Sequence, residues 1–222
     1  MKTFELFKNN IDLSNYNPYF IQAFEKLINH EGIYSWYSRD NGGETIFGIA
    51  RNFNSNWEGF QYLDKIKEKL NLKSEDLIDN PKNMKKIDQY IQNNTNDIDI
   101  KKLLIKTIRF YYDLFKKYKL EYFDELGAEI FDTGVNQGFK RAIITLQKTL
   151  NLLNRNQKDF KDLVVDGIIG SKTINAYKIL KNQGISDIVQ NVYKLYKGKF
   201  YIDLMEKNRA KYSAFRGWFR RV

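Results

Sequence analysis

Residues 30–49, which read HEGIYSWYSRDNGGETIFGI, determine how the fold begins. The pattern before them is that of an amphipathic helix, and Asn17-Pro18 is typical of an N-cap followed by proline in the first turn. Gly32 is typical of a helix end because glycine adopts backbone conformations that other residues avoid. Gly42-Gly43 then indicates a tight turn. We therefore predict a helix that ends at Glu31, followed by a short β-hairpin or loop.

The rest of the sequence is mainly helical in pattern. Asn80-Pro81 is typical of another helix start, and apolar residues at helical spacing mark a helix from Ile100 to Tyr118. Alternating strand patterns are few. Further helices are predicted at residues 121–138, at 139–153, after Ser171, and from Ile185 to about Met205. The expected fold class is mainly α, with one small β element after the helix that ends at Glu31.

The composition limits the chemistry that the chain can perform. The 222 residues include no cysteine, which excludes disulfides, thiolate metal sites and a cysteine nucleophile. A single histidine, His30, argues against a Ser-His-Asp triad and against a multi-histidine metal site. If the protein is an enzyme, these exclusions leave carboxylate chemistry.

The charge and the N-terminus bear on partners and location. The formal net charge of +10 favours a polyanionic partner, which can be nucleic acid, anionic lipid or the acidic polymers of a bacterial cell wall. The N-terminal segment lacks the unbroken apolar core of a signal peptide. No stretch approaches the roughly 20 apolar residues that span a bilayer. We therefore expect synthesis in the cytoplasm without a signal peptide, and no stable membrane insertion.

Glu31 is the first candidate for a chemical role. A carboxylate at a helix C-terminus faces the negative end of the helix dipole, which disfavours its ionised form. Partial shielding from water by Ile28, Ile33 and Tyr34 would act in the same direction and favour the protonated form that a general acid needs. A lone glutamate at a helix end is also commonly a surface residue with no such role, so both interpretations stay open here.

Asp40 and Thr45 follow Glu31 within the same segment. Such a set can hydrolyse a glycosidic bond: the glutamate protonates the leaving oxygen, while the aspartate and threonine orient water or stabilise positive charge on the sugar ring. Asp40 is equally the residue type that forms turns. Glu44 is a rival second carboxylate, although its place beside the turn predicts that it is solvated. The aromatic residues that can serve either as sugar platforms or as core are Trp36, Tyr37 and Trp57.

These motifs resemble the signature of the glycoside hydrolase family 108 muramidases, which are phage-endolysin-like and secretion-associated lysozymes. The resemblance covers roughly residues 18–222. Two departures are Ile33, where the family has a second glycine, and Ser171, where it has proline. The matching segments are Glu31-Gly-Ile-Tyr, Asp40-Asn-Gly-Gly-Glu-Thr45, Phe47-Gly-Ile, Ile130-Phe-Asp132-Thr-Gly-Val-Asn136-Gln-Gly138, Leu146-Gln147, Val165-Asp166-Gly-Ile-Ile-Gly170-Ser-Lys-Thr173, and Arg209 with Tyr212 and Gly217-Trp218-Phe-Arg-Arg221-Val.

The resemblance implies a lysozyme-like N-acetylmuramidase that cleaves the β-1,4 bond between N-acetylmuramic acid and N-acetylglucosamine, with no metal and no organic cofactor. It implies Glu31 as the catalytic acid, with Asp40 and Thr45 in support. Asp132 and Asn136 also suit a buried polar pair that ties two helices together. The glycan-contacting residues that it implies are Tyr34, Trp36, Asp132, Asn136 and Gln137.

The resemblance also implies an organisation and a setting. We expect an N-terminal extension over residues 1–17, a catalytic region over 18–118, and a helical peptidoglycan-binding-type region over 119–222 packed against it. Expected partners are peptidoglycan glycan strands and not nucleic acid, with the chain acting as a monomer on the periplasmic or extracellular wall after holin- or secretion-system-dependent release. The alternatives are a lytic transglycosylase and a non-catalytic cell-wall-binding module.

Overall fold

The computed structural model describes residues 2–209 and residue 219, and over this part the chain is mainly α-helical. The helices are α1 (Thr3–Lys8), α2 (Pro18–Glu31), α3 (Gly59–Lys69), α4 (Ser74–Leu77), α5 (Pro81–Asn93), α6 (Ile98–Lys117), α7 (Asp124–Gln137), α8 (Phe139–Leu153), α9 (Ser171–Asn182) and α10 (Ser186–Lys207), with a 3-10 turn at Leu120–Phe123. The strands β1 (Tyr34–Ser35), β2 (Thr45–Ile46) and β3 (Ile49–Ala50) form one antiparallel sheet in that order. This confirms the expected mainly α, lysozyme-like fold class with a small β element after α2.

The chain divides into two compact units, residues 1–114 and residues 115–222. We call them the N-terminal unit and the C-terminal unit. The boundary falls within α6, whereas the sequence placed a division between residues 118 and 119.

Helix α2 carries the N-terminal unit's first strong sequence signal. The Asn17 side chain caps it by accepting hydrogen bonds from the backbone N–H groups of Tyr19 and Phe20, at 2.9 and 3.2 Å. The helix ends at Gly32, whose φ of 72° lies in the region that glycine adopts without strain. Both ends match the prediction. The core face of α2 consists of Phe20, Ala23, Phe24, Leu27 and Ile28.

The first 17 residues include a core element that the sequence did not predict. Phe7 of α1 is fully buried, with its ring centroid 4.9 Å from that of Phe24 and 5.2 Å from that of Phe47. The backbone N–H of Phe4 donates to Oδ1 of Asn29 on α2, at 3.0 Å. The segment expected to be an extension therefore packs into the N-terminal unit.

The sheet has a tight turn that the sequence did not predict, in addition to the predicted one. Strands β2 and β3 are joined by Phe47-Gly48, with φ values of 50° and 79°, which is the two-residue turn that suits antiparallel strands. The predicted turn at the glycine pair 42–43 is also present, within the longer β1–β2 loop, where the Gly43 N–H donates to the Asp40 carbonyl at 3.0 Å. Phenylalanine rarely adopts positive φ, so the sequence carries little signal for the turn at 47–48.

The C-terminal unit is held together by buried polar contacts as well as by apolar packing. Gln147 of α8 donates to Asp166 Oδ1 at 2.7 Å and accepts from the Gly167 N–H at 2.9 Å, which fixes the loop before α9. That loop therefore has a structural role. Ser171 is the first residue of α9, and Gly170 occupies the N-cap position.

Candidate functional site

Glu31 is the last residue of α2, and it is solvent-exposed. Its side chain lies against Gly48 in the β2–β3 turn: a Cβ added to Gly48 would lie 3.0 Å from Glu31 Cγ and 2.8 Å from the Tyr111 hydroxyl. Ile28, Ile33 and Tyr34 are buried whereas Glu31 is exposed, so these side chains do not shield Glu31 from water as predicted. The acid thus stands at the negative end of the α2 dipole, backed by a turn and open to a ligand.

Asp40 and Thr45 are both tied to the glycine pair of the β1–β2 loop. Asp40 is exposed, and its Oδ1 accepts a hydrogen bond from the Gly42 N–H at 2.9 Å. The Thr45 hydroxyl donates to the Gly43 carbonyl at 3.2 Å. Asp40 therefore has the turn-forming contact that its residue type favours.

Asp40 precedes β2 and lies close to the face of the sheet that carries Thr45. Thr45 pairs with Ser35 and Ala50, and all three are half-buried, whereas the opposite face is buried. A Cβ added to Gly42 would lie 2.9 Å from Ala50 Cβ and 3.3 Å from Asp40 Oδ1. The structure thus brings Asp40 and Thr45 to the outer face of the sheet, while Glu31 contacts the turn at its end.

Glu44 is buried, so the prediction that it is solvated was wrong. Its carboxylate accepts from Arg51 Nε at 2.5 Å, Lys67 Nζ at 2.8 Å and the Tyr34 hydroxyl at 2.9 Å, with only 2% of the residue exposed. Asp64 adds a second carboxylate, 2.6 Å from Arg51. Two cations and a hydroxyl compensate for the lost hydration of Glu44, which makes it a link between the sheet and α3.

The aromatic candidates differ in how much of them a ligand can reach. Tyr34 is 7% exposed, and its hydroxyl is engaged by Glu44. Burial raises the pKa of the Tyr34 hydroxyl far above its usual range, and the negative charge of Glu44 adds to this effect. Trp36 is half-buried, with Lys67 Nζ 5.8 Å from its ring centroid. Tyr37 is half-buried, and so is Trp57, which packs edge-on against Phe60 and Phe110.

The predicted glycan contacts at 132–137 lie at the end of α7 in the C-terminal unit. The Asp132 carboxylate is buried and pairs at 2.6 Å with Lys197 Nζ, which is itself fully buried. Asn136 is exposed and donates to the Asp132 carbonyl at 2.7 Å. The Gln137 amide is buried without a hydrogen-bond partner among the described residues. Asp132 thus links α7 to α10 through an ion pair with Lys197, whereas Asn136 is exposed and is not part of a buried pair.

Comparison with protein families decides the identity of the chain. Residues 24–138, more than half of the sequence, match the family model described as glycosyl hydrolase 108. The chain belongs to the glycosyl hydrolase 108 family. Residues 141–222 match a model described as a predicted peptidoglycan domain. No curated protein matches the chain significantly.

These matches confirm the resemblance and the enzyme class. The protein is a glycoside hydrolase, and its two matched regions give it a role as a peptidoglycan hydrolase that binds and acts on the cell wall. Within the part of the chain that the structure describes, no helix is long and apolar enough to cross a membrane. Tyr212 and most of the 217–222 motif lie outside the described residues.

The glycosyl hydrolase 108 region contains one further acid that the sequence did not predict. Asp88 of α5 is half-buried, and its Oδ1 accepts a hydrogen bond from the Tyr34 N–H at 3.0 Å. Burial raises the pKa of Asp88 to about 6, and the Tyr34 hydrogen bond partly opposes that shift. The available signal was its position on the apolar stripe of α5, between Met84 and Ile91.

Proposed function

We propose that this glycosyl hydrolase 108 enzyme is an N-acetylmuramidase that cleaves the β-1,4 bond between N-acetylmuramic acid and N-acetylglucosamine, with Glu31 as general acid. The observation that carries the proposal is the place of Glu31. It is an exposed carboxyl at the C-terminal end of α2, against the Gly48 turn and beside a sheet whose outer face presents Asp40 and Thr45.

In this mechanism Glu31 donates its proton to the glycosidic oxygen as the bond from that oxygen to the anomeric carbon breaks. Water then supplies a hydroxyl to the anomeric carbon, and its remaining proton restores Glu31 or passes to solvent. Asp40 and Thr45 orient that water or stabilise the positive charge that develops on the sugar ring. The products are two shorter glycan strands, one of which carries a new reducing end.

The remaining features support binding. Trp36 offers a half-buried ring near β1, which suits stacking against a sugar. The net charge of +10 favours association with wall polymers that carry carboxylates and phosphates. Asn136, in the C-terminal unit, has an exposed amide of the kind that hydrogen-bonds the N-acetyl and hydroxyl groups of a glycan.

The test is the Glu31→Gln variant, which keeps the size of the side chain and removes its proton. We expect clearing of purified cell walls to fall at least about 100-fold, as loss of a general acid predicts. Sedimentation with the walls should be unchanged because the peptidoglycan domain is intact. A variant that clears walls as fast as the unmodified protein would overturn the assignment of Glu31.

Asp40→Asn separates the two roles of Asp40. Asparagine keeps the oxygen that accepts the Gly42 N–H, so the loop is preserved. A large loss of wall clearing with an unchanged melting temperature would then support a chemical role for the carboxylate. Full activity would leave Asp40 as a turn former only.

A further inference from the structure

The Phe47-Gly48 turn combines backbone strain with contact to the proposed acid. Phe47 has a φ of 50°, in the left-handed region that is unfavourable for a residue with a side chain. Strain of this kind persists only where the surrounding structure enforces it, and it is concentrated at functional sites.

Three contacts enforce the conformation of Phe47. Its N–H donates to the Ile33 carbonyl at 2.6 Å, which links it to the segment directly after Glu31. Its carbonyl accepts from the Tyr111 hydroxyl at 2.8 Å, and its buried ring packs edge-on against Phe7. The hydrogen bond from Tyr111 comes from α6, far along the chain, and is itself fully buried.

Tyr111 also lies beside the acid. The position that a Gly48 Cβ would take is 2.8 Å from the Tyr111 hydroxyl and 3.0 Å from Glu31 Cγ, so both side chains border the same small space over Gly48. Burial raises the pKa of the Tyr111 hydroxyl well above its usual range, with the negative charge of Glu31 adding to the shift. The hydroxyl therefore stays protonated and keeps donating throughout the pH range in which enzymes work.

We propose that Tyr111 is a positioning residue for catalysis. Its hydroxyl donates to the Phe47 carbonyl and thereby fixes the Phe47-Gly48 turn. This turn, which has no side chain at Gly48, then holds the Glu31 side chain in place. This inference rests on the proposed function, because it takes Glu31 to be the acid. It extends that function to a buried residue on α6 that acts through the turn and has no contact of its own with the sugar.

The test is Tyr111→Phe, which keeps the ring and removes only the hydroxyl. The control is Tyr193→Phe in the C-terminal unit, where another buried tyrosine donates to a backbone carbonyl, that of Ala142, at 3.4 Å. Both variants should lower the melting temperature, since each loses a buried hydroxyl that forms hydrogen bonds. Kinetics are measured on soluble glycan strands released from peptidoglycan, with Glu31→Gln assayed alone and combined with Tyr111→Phe.

We expect Tyr111→Phe to lower kcat about tenfold, with KM within about twofold, because a small misplacement of a reacting group is costly while binding is spared. Tyr193→Phe should leave kcat unchanged, and adding Tyr111→Phe to Glu31→Gln should lower the residual rate no further. If Tyr111→Phe keeps the full kcat, or loses activity only in proportion to unfolded protein, the inference is overturned. Full activity of Glu31→Gln alone would instead overturn the proposed function.

Discussion

The acidic side chains around the sheet lie in different environments, which suit them to different roles. Glu31 is exposed at the negative end of a helix, and Glu44 is buried between two cations. Asp40 accepts a hydrogen bond from the Gly42 N–H within the β1–β2 loop. Asp88 is half-buried with one backbone N–H as its partner. Since the residue types are nearly the same, the surroundings decide which acid can hold a proton and which serves the fold.

The raised pKa of Asp88 predicts that the free energy of unfolding depends on pH, and that mutation of Asp88 removes this dependence. Because burial raises the pKa of Asp88 to about 6, the folded state binds its proton more tightly than the unfolded chain does. The resulting stability is complete below the ordinary aspartate pKa and is lost as pH rises through about 6. Asp88→Asn should therefore stabilise the protein at pH 8 by about 1 kcal/mol and should have no effect at pH 3.5. The stabilisation is smaller than the full pKa shift implies because solvent screens a half-exposed carboxylate.

Urea unfolding of both proteins at the two pH values measures this difference. Asp79→Asn is the control of opposite sign, because hydrogen bonds from Ser38 lower the pKa of the exposed Asp79. Its stabilising contribution is present at neutral pH and is lost as pH falls, so Asp79→Asn should destabilise at pH 8. A pH-independent effect of Asp88→Asn would contradict the account of Asp88.

At the scale of elements, α1 is the clearest addition to the family pattern. It precedes the glycosyl hydrolase 108 match, which begins at residue 24, yet it packs Phe7 against both α2 and the turn that borders Glu31. The end of α2 is fixed from the same side by the hydrogen bond between Phe4 and Asn29. We conclude that α1 supports the element that carries the proposed acid.

Phe7→Ala should destabilise the protein by about 3–5 kcal/mol, the usual cost of removing a fully buried aromatic ring. Phe53→Ala is the matched control, since that ring is 71% exposed and its loss should change stability by less than about 0.5 kcal/mol. Chemical denaturation gives both values. Equal small effects for the two variants would show that α1 is not part of the core.

The sequence predicted the elements that carry strong local signals and missed those that depend on distant contacts. The N-cap at Asn17 and the glycine at 32 defined α2, and Gly138 correctly separated α7 from α8. Helix α1 has six residues, too few for periodicity to identify it, and α3 was not identified either. The burial of Glu44 depends on Arg51 and Lys67, which converge on it only after folding. The place of the proposed acid at a helix end was therefore predictable, but its backing by Gly48 and Tyr111 was not.

At the scale of the whole molecule, a glycosyl hydrolase 108 region and a peptidoglycan domain share one strongly basic chain. The net charge of +10 should draw the enzyme to an anionic wall over a distance set by the Debye length, about 10 Å at 0.1 M salt and less at higher salt. We therefore expect the net charge to affect binding to the wall, and Glu31 to affect cleavage of the glycosidic bond.

This division predicts a salt effect that depends on the substrate. Raising sodium chloride from about 0.05 to 0.5 M should slow the clearing of intact walls severalfold, because screening weakens long-range attraction. Cleavage of a neutral, soluble N-acetylated glycan should change little over the same range. Equal salt sensitivity on both substrates would place the effect in the active site or in the fold, and would contradict a role for the net charge in binding to the wall.

The central claim is that Glu31 protonates the leaving oxygen in a hydrolysis, and the products of digestion test it most directly. Mass spectrometry of peptidoglycan digested by the unmodified enzyme should find new strands that end in reducing N-acetylmuramic acid, with one water added for each bond cleaved. Glu31→Gln at equal concentration should give at least about 100-fold fewer of these ends. Three results would contradict the account. Anhydro ends would show a lytic transglycosylase, reducing N-acetylglucosamine ends would show a different bond, and as many reducing muramic ends from Glu31→Gln as from the unmodified enzyme would show a different acid.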